Sequence, residues 1–141
     1  MFDSAIFDFT DAEIREAAAA NRLLSIEIEF NRLCNYRCPY CYAGDPETEL
    51  PEMSSELADS VIRQAAELGA RKVVILGGEP LLYPELERKI ELVNSLGMGA
   101  EIFTNGALLD EAAARMFAAH NCRVVVKLNS LDPAVQARMT G

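Results

Sequence analysis

The sequence is poor in cationic residues and in histidine. Of its 141 residues, 13 are lysine or arginine, 22 are aspartate or glutamate and one is histidine, so the formal net charge is −9. Proteins bind nucleic acid mostly through lysine and arginine contacts to phosphate, so this balance argues against a nucleic-acid partner. It does not exclude a small anionic ligand held by a few local groups.

Long apolar runs are also missing. No stretch approaches the roughly 20 apolar residues that a helix needs to cross a bilayer. The first residues, MFDSAIFDFTDAE, are acidic and lack the basic start of a secretory signal. The sequence therefore predicts a cytoplasmic protein without a membrane partner, long enough for one domain with its own core.

Four short apolar runs alternate with helical patterns. The runs are SIEIEF, KVVIL, AEIFT and RVVVKL, and the first would place Ile26, Ile28 and Phe30 on one face of a strand. Strands and helices that alternate about every 25 residues are typical of βα units, so we expect an α/β fold with a parallel sheet or barrel.

Helix boundaries are predicted from capping residues. Thr10 with Glu13 has the spacing of a capping box, for a helix to about Asn21, and Asp110 and Asp132 are placed to cap later helices. A further helix is predicted from four apolar residues and a terminal glycine: Leu57, Val61, Ala65, Leu68 and Gly69.

The unusual motifs all follow predicted strands. CNYRCPYC starts at Cys34 after the first strand, GGEP at Gly77 after the second and TNG at Thr104 after the third, and KLNS starts at Lys127 within the fourth. The carboxyl ends of parallel strands share one edge of a sheet, where α/β proteins place their chemistry. We therefore expect these motifs to lie together.

Three of the four cysteines fall within eight residues, and their spacing allows several sites. Cys38 and Cys41 form a CPYC pair, as in a thiol–disulfide oxidoreductase, but Gly44, Pro46 and Pro51 would break the helix that such a pair normally caps.

A zinc site would need a fourth ligand. His120 and Cys122 are candidates, but a parallel layout places them at the opposite end of the sheet. Cys122 is expected to be a small buried residue. An iron–sulfur cluster would use all three clustered cysteines and leave one iron open to a small molecule.

The motif Cys34-Asn-Tyr-Arg-Cys38-Pro-Tyr-Cys41, followed by GGEP after the next strand, resembles the radical S-adenosylmethionine (SAM) enzyme superfamily. TNG and VVVKLNSLDP resemble its cofactor-maturing and peptide-modifying branches. The resemblance implies about the first four strands of a partial (β/α)6 TIM-like barrel. Residues 1–22 would be an N-terminal helical extension, and 23–141 the first half of the barrel, incomplete at its C-terminus.

The resemblance also implies roles for individual residues. Cys34, Cys38 and Cys41 would ligate a 4Fe–4S cluster whose fourth iron chelates SAM. One electron would then cleave SAM and give a 5′-deoxyadenosyl radical that takes hydrogen from a substrate. The residues implied in SAM binding are Tyr40 beside the adenine, Gly77, Gly78 and Glu79 at the methionyl ammonium, and the polar group Thr104, Asn105, Lys127, Asn129 and Ser130.

Two other functions stay open: a thiol–disulfide oxidoreductase, and a non-catalytic fragment that binds a cluster. The family implies an electron donor such as flavodoxin or ferredoxin, and a substrate that is a peptide or a cofactor precursor. The chain stops at RMTG inside its fourth barrel helix, and four parallel strands leave two open edges. We therefore expect self-association or a missing C-terminal half.

Overall fold

Four parallel strands form one sheet, as predicted. A computed structural model describes residues 4–42 and 52–141. The strands are β1 (Ser25–Glu29), β2 (Lys72–Leu76), β3 (Gly99–Thr104) and β4 (Cys122–Val126), and they pair in the order β1-β2-β3-β4. The helices are α1 (Asp11–Ala19), α2 (Ser55–Glu67), α3 (Leu86–Ser95), α4 (Glu111–Ala119) and α5 (Pro133–Thr140). Short 3-10 helices cover Ser4–Ile6 and Pro80–Leu82.

The predicted capping residues begin their helices. The Thr10 hydroxyl accepts the Glu13 N–H, and a Glu13 carboxylate oxygen accepts the Thr10 N–H at 2.8 Å. Asp110 and Asp132 likewise accept backbone N–H groups at the starts of α4 and α5. Since each such cap satisfies donors that a helix start leaves unpaired, these boundaries are set by local sequence.

One face of the sheet and the helices form the core. Ile28, Ile75 and Ile102 are aligned across β1, β2 and β3, and each is at least nine-tenths buried. Ile62 of α2 and Ile90 of α3 join the same cluster. Burying an aliphatic side chain of this size contributes about 1.5–3 kcal/mol, so this layer supports the sheet that carries the loops.

The apolar residues that predicted α2 are not all on its buried face. Leu57 and Leu68 are 53% and 54% exposed, whereas Ala58 and Ile62 are fully buried. Ala65 is buried, and Gly69 follows the helix with a φ of +93°, in the left-handed conformation that suits glycine.

The second face of the sheet is closed at its amino-terminal end by the floor segment, which we define as Ser4–Phe9. Phe7 is 1% exposed, and its carbonyl accepts from Lys72 Nζ at 2.7 Å. Lys72 also donates to Glu101 at 2.8 Å, and the Arg123 guanidinium pairs with Glu101 and lies 5.0 Å from the centre of the Phe7 ring. The chain's own N-terminal residues therefore cover this end of the sheet.

Two further observations complete the fold. In the described ranges, no helix is long and apolar enough to span a membrane. The predicted helix-breaking residues Gly44, Pro46 and Pro51 lie outside the described residues.

Candidate functional site

A cavity of about 220 Å³ opens at the carboxyl edge of the sheet, where the motifs were expected to meet. Nine of the predicted site residues line it: Cys34, Cys38, Cys41, Tyr40, Gly77, Gly78, Thr104, Asn105 and Lys127. The carboxyl ends of all four strands and the loops after them therefore contribute to one site, as parallel topology requires.

The cysteine loop is held by backbone contacts. All three of its cysteines are free thiols. The Cys41 N–H donates to the Cys38 carbonyl at 3.0 Å, and the Tyr36 N–H donates to Cys34 Sγ at 3.4 Å. At the far side the Arg37 N–H donates to the carbonyl of Thr140 at 3.0 Å, so the end of α5 supports the loop. The three sulfurs are thus presented on an ordered turn that faces one cavity.

Gly77 and Gly78 allow the cysteine loop to approach the end of β2. A Cβ on Gly77 would lie 2.5 Å from the Asn31 carbonyl oxygen, and one on Gly78 would lie 2.1 Å from that of Leu33. Both distances are far below van der Waals contact. In their place the Gly78 N–H donates to the Asn31 carbonyl at 3.1 Å. The two glycines therefore let the backbone of the chain's own cysteine loop pack closely, besides any role in ligand binding.

Glu79 is buried and bonded within the protein. It is 1% exposed. Its Oε1 accepts the Thr104 hydroxyl at 2.6 Å and the Leu81 N–H at 3.1 Å, and its Oε2 accepts the Asn105 N–H at 2.8 Å. The carboxylate therefore ties the loop after β2 to the loop after β3, a structural role that the sequence did not predict.

Asn105 continues this connection to the cysteine loop. Its side-chain Nδ2 donates to Asn35 Oδ1 at 2.8 Å and lies 3.9 Å from Cys34 Sγ, while its Oδ1 accepts the Ala107 N–H at 2.9 Å. Asn-Gly sequences are common in turns, and this turn also directs the Asn105 side-chain amide toward Cys34 Sγ.

Tyr40 joins the cysteine loop to the segment after β4. Its hydroxyl donates to Asn129 Oδ1 at 3.0 Å, and Lys127 Nζ lies 5.1 Å from the centre of its ring. Desolvation raises the pKa of Tyr40, so its hydroxyl remains protonated and able to donate at neutral pH. Asn129 reaches the site through this contact.

Lys127 and Ser130 both lie after β4. β4 ends at Val126, so Lys127 is an exposed residue beyond the strand and not within it, as the sequence had predicted. The Ser130 hydroxyl accepts the Asp132 N–H at 3.0 Å, which places Ser130 at the start of α5. Among the described residues, Glu79, Asn129 and Ser130 are not in contact with the cavity.

Four cavity residues were not predicted: Tyr36, Tyr42, Leu76 and Phe103. Strand alternation places Leu76 and Phe103 on the second face of the sheet, and this signal was available in the sequence. The Tyr42 hydroxyl donates to Glu29 Oε1, and this hydrogen bond, with desolvation and the Glu29 charge, raises the pKa of Tyr42 to about 12.

The remaining cysteine and the histidine lie away from the cavity. Cys122 packs partly buried against the core, and burial raises the pKa of its thiol to about 12, as expected for a residue without a metal or redox role. His120 Nε2 lies 3.9 Å from Glu87 Oε1, on the helical side of the sheet. The structure therefore gives no support to a zinc site shared with the cysteine loop.

Known proteins are similar to this chain in sequence. The curated relatives include a probable GTP 3′,8-cyclase of Methanosarcina mazei, 38% identical over an alignment of 125 residues that covers 85% of this chain and 37% of the relative. A GTP 3′,8-cyclase of Microcystis aeruginosa is 32% identical over 128 residues, 86% of this chain and 39% of the relative. The chain thus spans less than half the length of these relatives.

Solved structures share the fold. Streptococcus suis SuiB bound to its precursor peptide SuiA superposes with a TM-score of 0.75 at 21% identity, over 91% of this chain and 30% of SuiB. BtrN in complex with AdoMet and 2-DOIA superposes with a TM-score of 0.64 at 24% identity, over 74% of this chain and 45% of BtrN. The predicted partial barrel is confirmed by this likeness.

The family model confirms the resemblance noted in the cysteine and GGEP motifs. It is described as the radical SAM superfamily, a family of enzymes that use a 4Fe–4S cluster and SAM, and it matches residues 28–141. These residues include every predicted site residue and all four strands except the start of β1. The chain therefore belongs to the radical SAM superfamily.

Proposed function

We propose that Cys34, Cys38 and Cys41 hold a 4Fe–4S cluster and that the cavity beside them binds SAM. In this proposal residues 1–22 are an N-terminal extension and 23–141 the first half of the barrel. The observation that carries it is that all three thiols of one eight-residue loop line one cavity, together with Gly77, Gly78 and Thr104. Three thiolates suit a cluster that keeps one iron open.

The donor set fits this group better than the alternatives. A dithiol pair would use Cys38 and Cys41 alone, yet Cys34 lines the same cavity and receives a backbone N–H. N–H donors to sulfur stabilise a thiolate, which is the form that ligates iron.

The chain's own residues position and shield the bound groups. Tyr40 offers an aromatic face at the cavity, and Lys127 beside it supplies a cation for a carboxylate. Glu79 fixes the loop that carries Thr104 and Asn105. When bound, the cluster and SAM supply a one-electron cleavage of the C5′–S bond, giving methionine and a 5′-deoxyadenosyl radical that takes a hydrogen atom from the substrate.

The substrate that we propose is a peptide or a cofactor precursor. This is supported by relatives named GTP 3′,8-cyclase and by a structural neighbour bound to its precursor peptide. An electron donor such as flavodoxin or ferredoxin is required, because the cleavage consumes one electron.

Anaerobic iron–sulfur reconstitution followed by electron paramagnetic resonance (EPR) tests the proposal. We expect about four irons per chain, and a signal of the reduced protein that changes when SAM is added. Replacing Cys34, Cys38 or Cys41 by Ala should abolish iron binding, while C122A, the matched control, should bind iron normally.

The other functions predict different results. A thiol–disulfide oxidoreductase would bind no iron and would tolerate C34A. A non-catalytic fragment would bind the cluster but release no methionine or 5′-deoxyadenosine after reduction with dithionite in the presence of SAM.

A further inference from the structure

We infer that Asn105 is a positioning residue that raises the reduction potential of the cluster by donating a side-chain N–H to Cys34 Sγ. This inference rests on the proposed cluster. It concerns the reduction potential of the cluster and not its binding, because the three cysteines would still hold the cluster without the Asn105 hydrogen bond.

The orientation of the Asn105 amide is determined by its partners. Oδ1 must face the Ala107 N–H, which lies 2.9 Å away and needs an acceptor. Nδ2 then has two hydrogens for two acceptors, Asn35 Oδ1 at 2.8 Å and Cys34 Sγ at 3.9 Å. A flipped amide would place an oxygen against the Asn35 oxygen and a donor against the Ala107 donor.

The backbone beneath the amide is held in place. Its N–H donates to the buried Glu79 carboxylate at 2.8 Å, and the neighbouring Thr104 hydroxyl donates to the same carboxylate at 2.6 Å. Asn105 therefore approaches Cys34 from the loop after β3, which is hydrogen-bonded to the loop after β2.

The three sulfurs have unequal surroundings. Cys34 Sγ lies near two donors, the Tyr36 N–H at 3.4 Å and the Asn105 amide. Cys38 Sγ lies 3.9 Å from the Thr140 carbonyl oxygen, which carries partial negative charge. Reduction adds negative charge to a cluster and its thiolates, so donors to sulfur stabilise the reduced state and raise the potential. Of the two donors at Cys34, only the Asn105 amide is removable by side-chain substitution.

The test is a potentiometric titration of the reconstituted cluster, followed by EPR without SAM. In N105S the hydroxyl still accepts the Ala107 N–H, but the amide donor is lost and no charge is added. We expect a reduced-to-oxidised ratio about tenfold lower at a fixed potential, which is a shift of about −59 mV for a one-electron couple. N105D keeps the acceptor and adds a negative charge, so its potential should be lower still.

N121S is the matched control, because it makes the same substitution at the other end of the sheet. Its potential should equal that of the unsubstituted chain. A purely structural role for Asn105 would lower the iron content or the melting temperature of N105S and leave the potential of the loaded cluster unchanged.

An N105S potential equal to that of the unsubstituted protein, at equal iron content, would therefore overturn the inference alone. Failure of the unsubstituted chain to bind iron would overturn the proposed function, and this inference with it.

Discussion

Gly78 leaves no room for a side chain between the end of β2 and the cysteine loop. Its Cβ position would lie 2.1 Å from the Leu33 carbonyl oxygen and 2.6 Å from the carbonyl carbon of Arg32. Its φ lies outside the left-handed region, so the need for glycine here comes from the contact and not from the backbone angle. Gly97 is the reverse case, with a φ of +79° and nothing within 4 Å of its Cβ position.

This contrast gives a prediction with its own control. We expect G78A to lower the free energy of unfolding by more than about 3 kcal/mol, because backbone must move, and to reduce iron loading by displacing the cysteine loop. G97A should cost only about 1 kcal/mol, from backbone strain, and load normally. Urea denaturation and iron content measure both. Equal loading of G78A and the unsubstituted chain would show that the loop does not depend on this contact.

At the scale of elements, α2 and α3 are joined by a buried lysine. Lys89 is fully buried, and its Nζ donates to Asp59 Oδ1 at 2.6 Å and to the Ser55 carbonyl at 2.8 Å. Asp59 also accepts two bonds from Arg88, at 2.9 and 3.1 Å, and the Arg88 hydrogen bonds lower the pKa of Asp59. Asp59 therefore keeps a cationic partner, Arg88, when Lys89 is removed, whereas Lys89 loses its nearest carboxylate when Asp59 is removed.

We expect D59A to destabilise the protein more than K89M. D59A leaves a buried ammonium without its nearest carboxylate, at a cost of about 3 kcal/mol. K89M leaves Asp59 paired with Arg88 and fills the site with an apolar chain of similar length, which costs about 1 kcal/mol. Thermal or urea unfolding of the two variants measures the difference. The opposite order would mean that the aliphatic stem of Lys89 contributes more than its charge.

Elements with local signals were predictable from the sequence. The alternation in SIEIEF and the capping residues Thr10, Asp110 and Asp132 depend only on neighbouring residues, and the strand and helix starts follow them. The buried face of α2 was not predictable in the same way. Leu57 faces outward while Ala58 packs inward, and this depends on how α2 packs against the sheet and the other helices.

The site shows the same division. That the cysteine and GGEP motifs would meet was predictable, since both follow strands that end at one edge, and the role of the glycine pair came from the family resemblance. Two features depend on contacts between separate loops: the hydrogen bonds that the Glu79 carboxylate accepts, and the placement of the Asn105 amide near Cys34. No single motif contains that information.

At the scale of the whole molecule, β1 and β4 are the outer strands of the described sheet. Each has one neighbour there, so one side of its backbone is available for pairing. Exposed apolar side chains lie at and after the end of β4: Val126 is 49% and Leu128 60% exposed. Outer strands of this kind tend to pair with other chains unless they are covered.

We therefore expect this chain to self-associate, with a sedimentation coefficient that rises with protein concentration. Replacing Leu128 by Lys, a charged residue of the kind that protects sheet edges, should shift the protein toward monomer. The exposed Leu57→Lys, on α2, is the control and should leave association unchanged. A concentration-independent monomer in sedimentation velocity experiments would contradict the expectation.

The buried Glu79 carboxylate has a consequence for protein engineering. It accepts from the loops after β2 and β3, and the backbone N–H of Glu79 itself donates to the Leu33 carbonyl of the cysteine loop at 2.8 Å. If only one of these loops were replaced by the corresponding loop of a relative, the hydrogen bonds between it and the other two loops would be lost. The three loops therefore make up a single cassette, to be transplanted together or left in place.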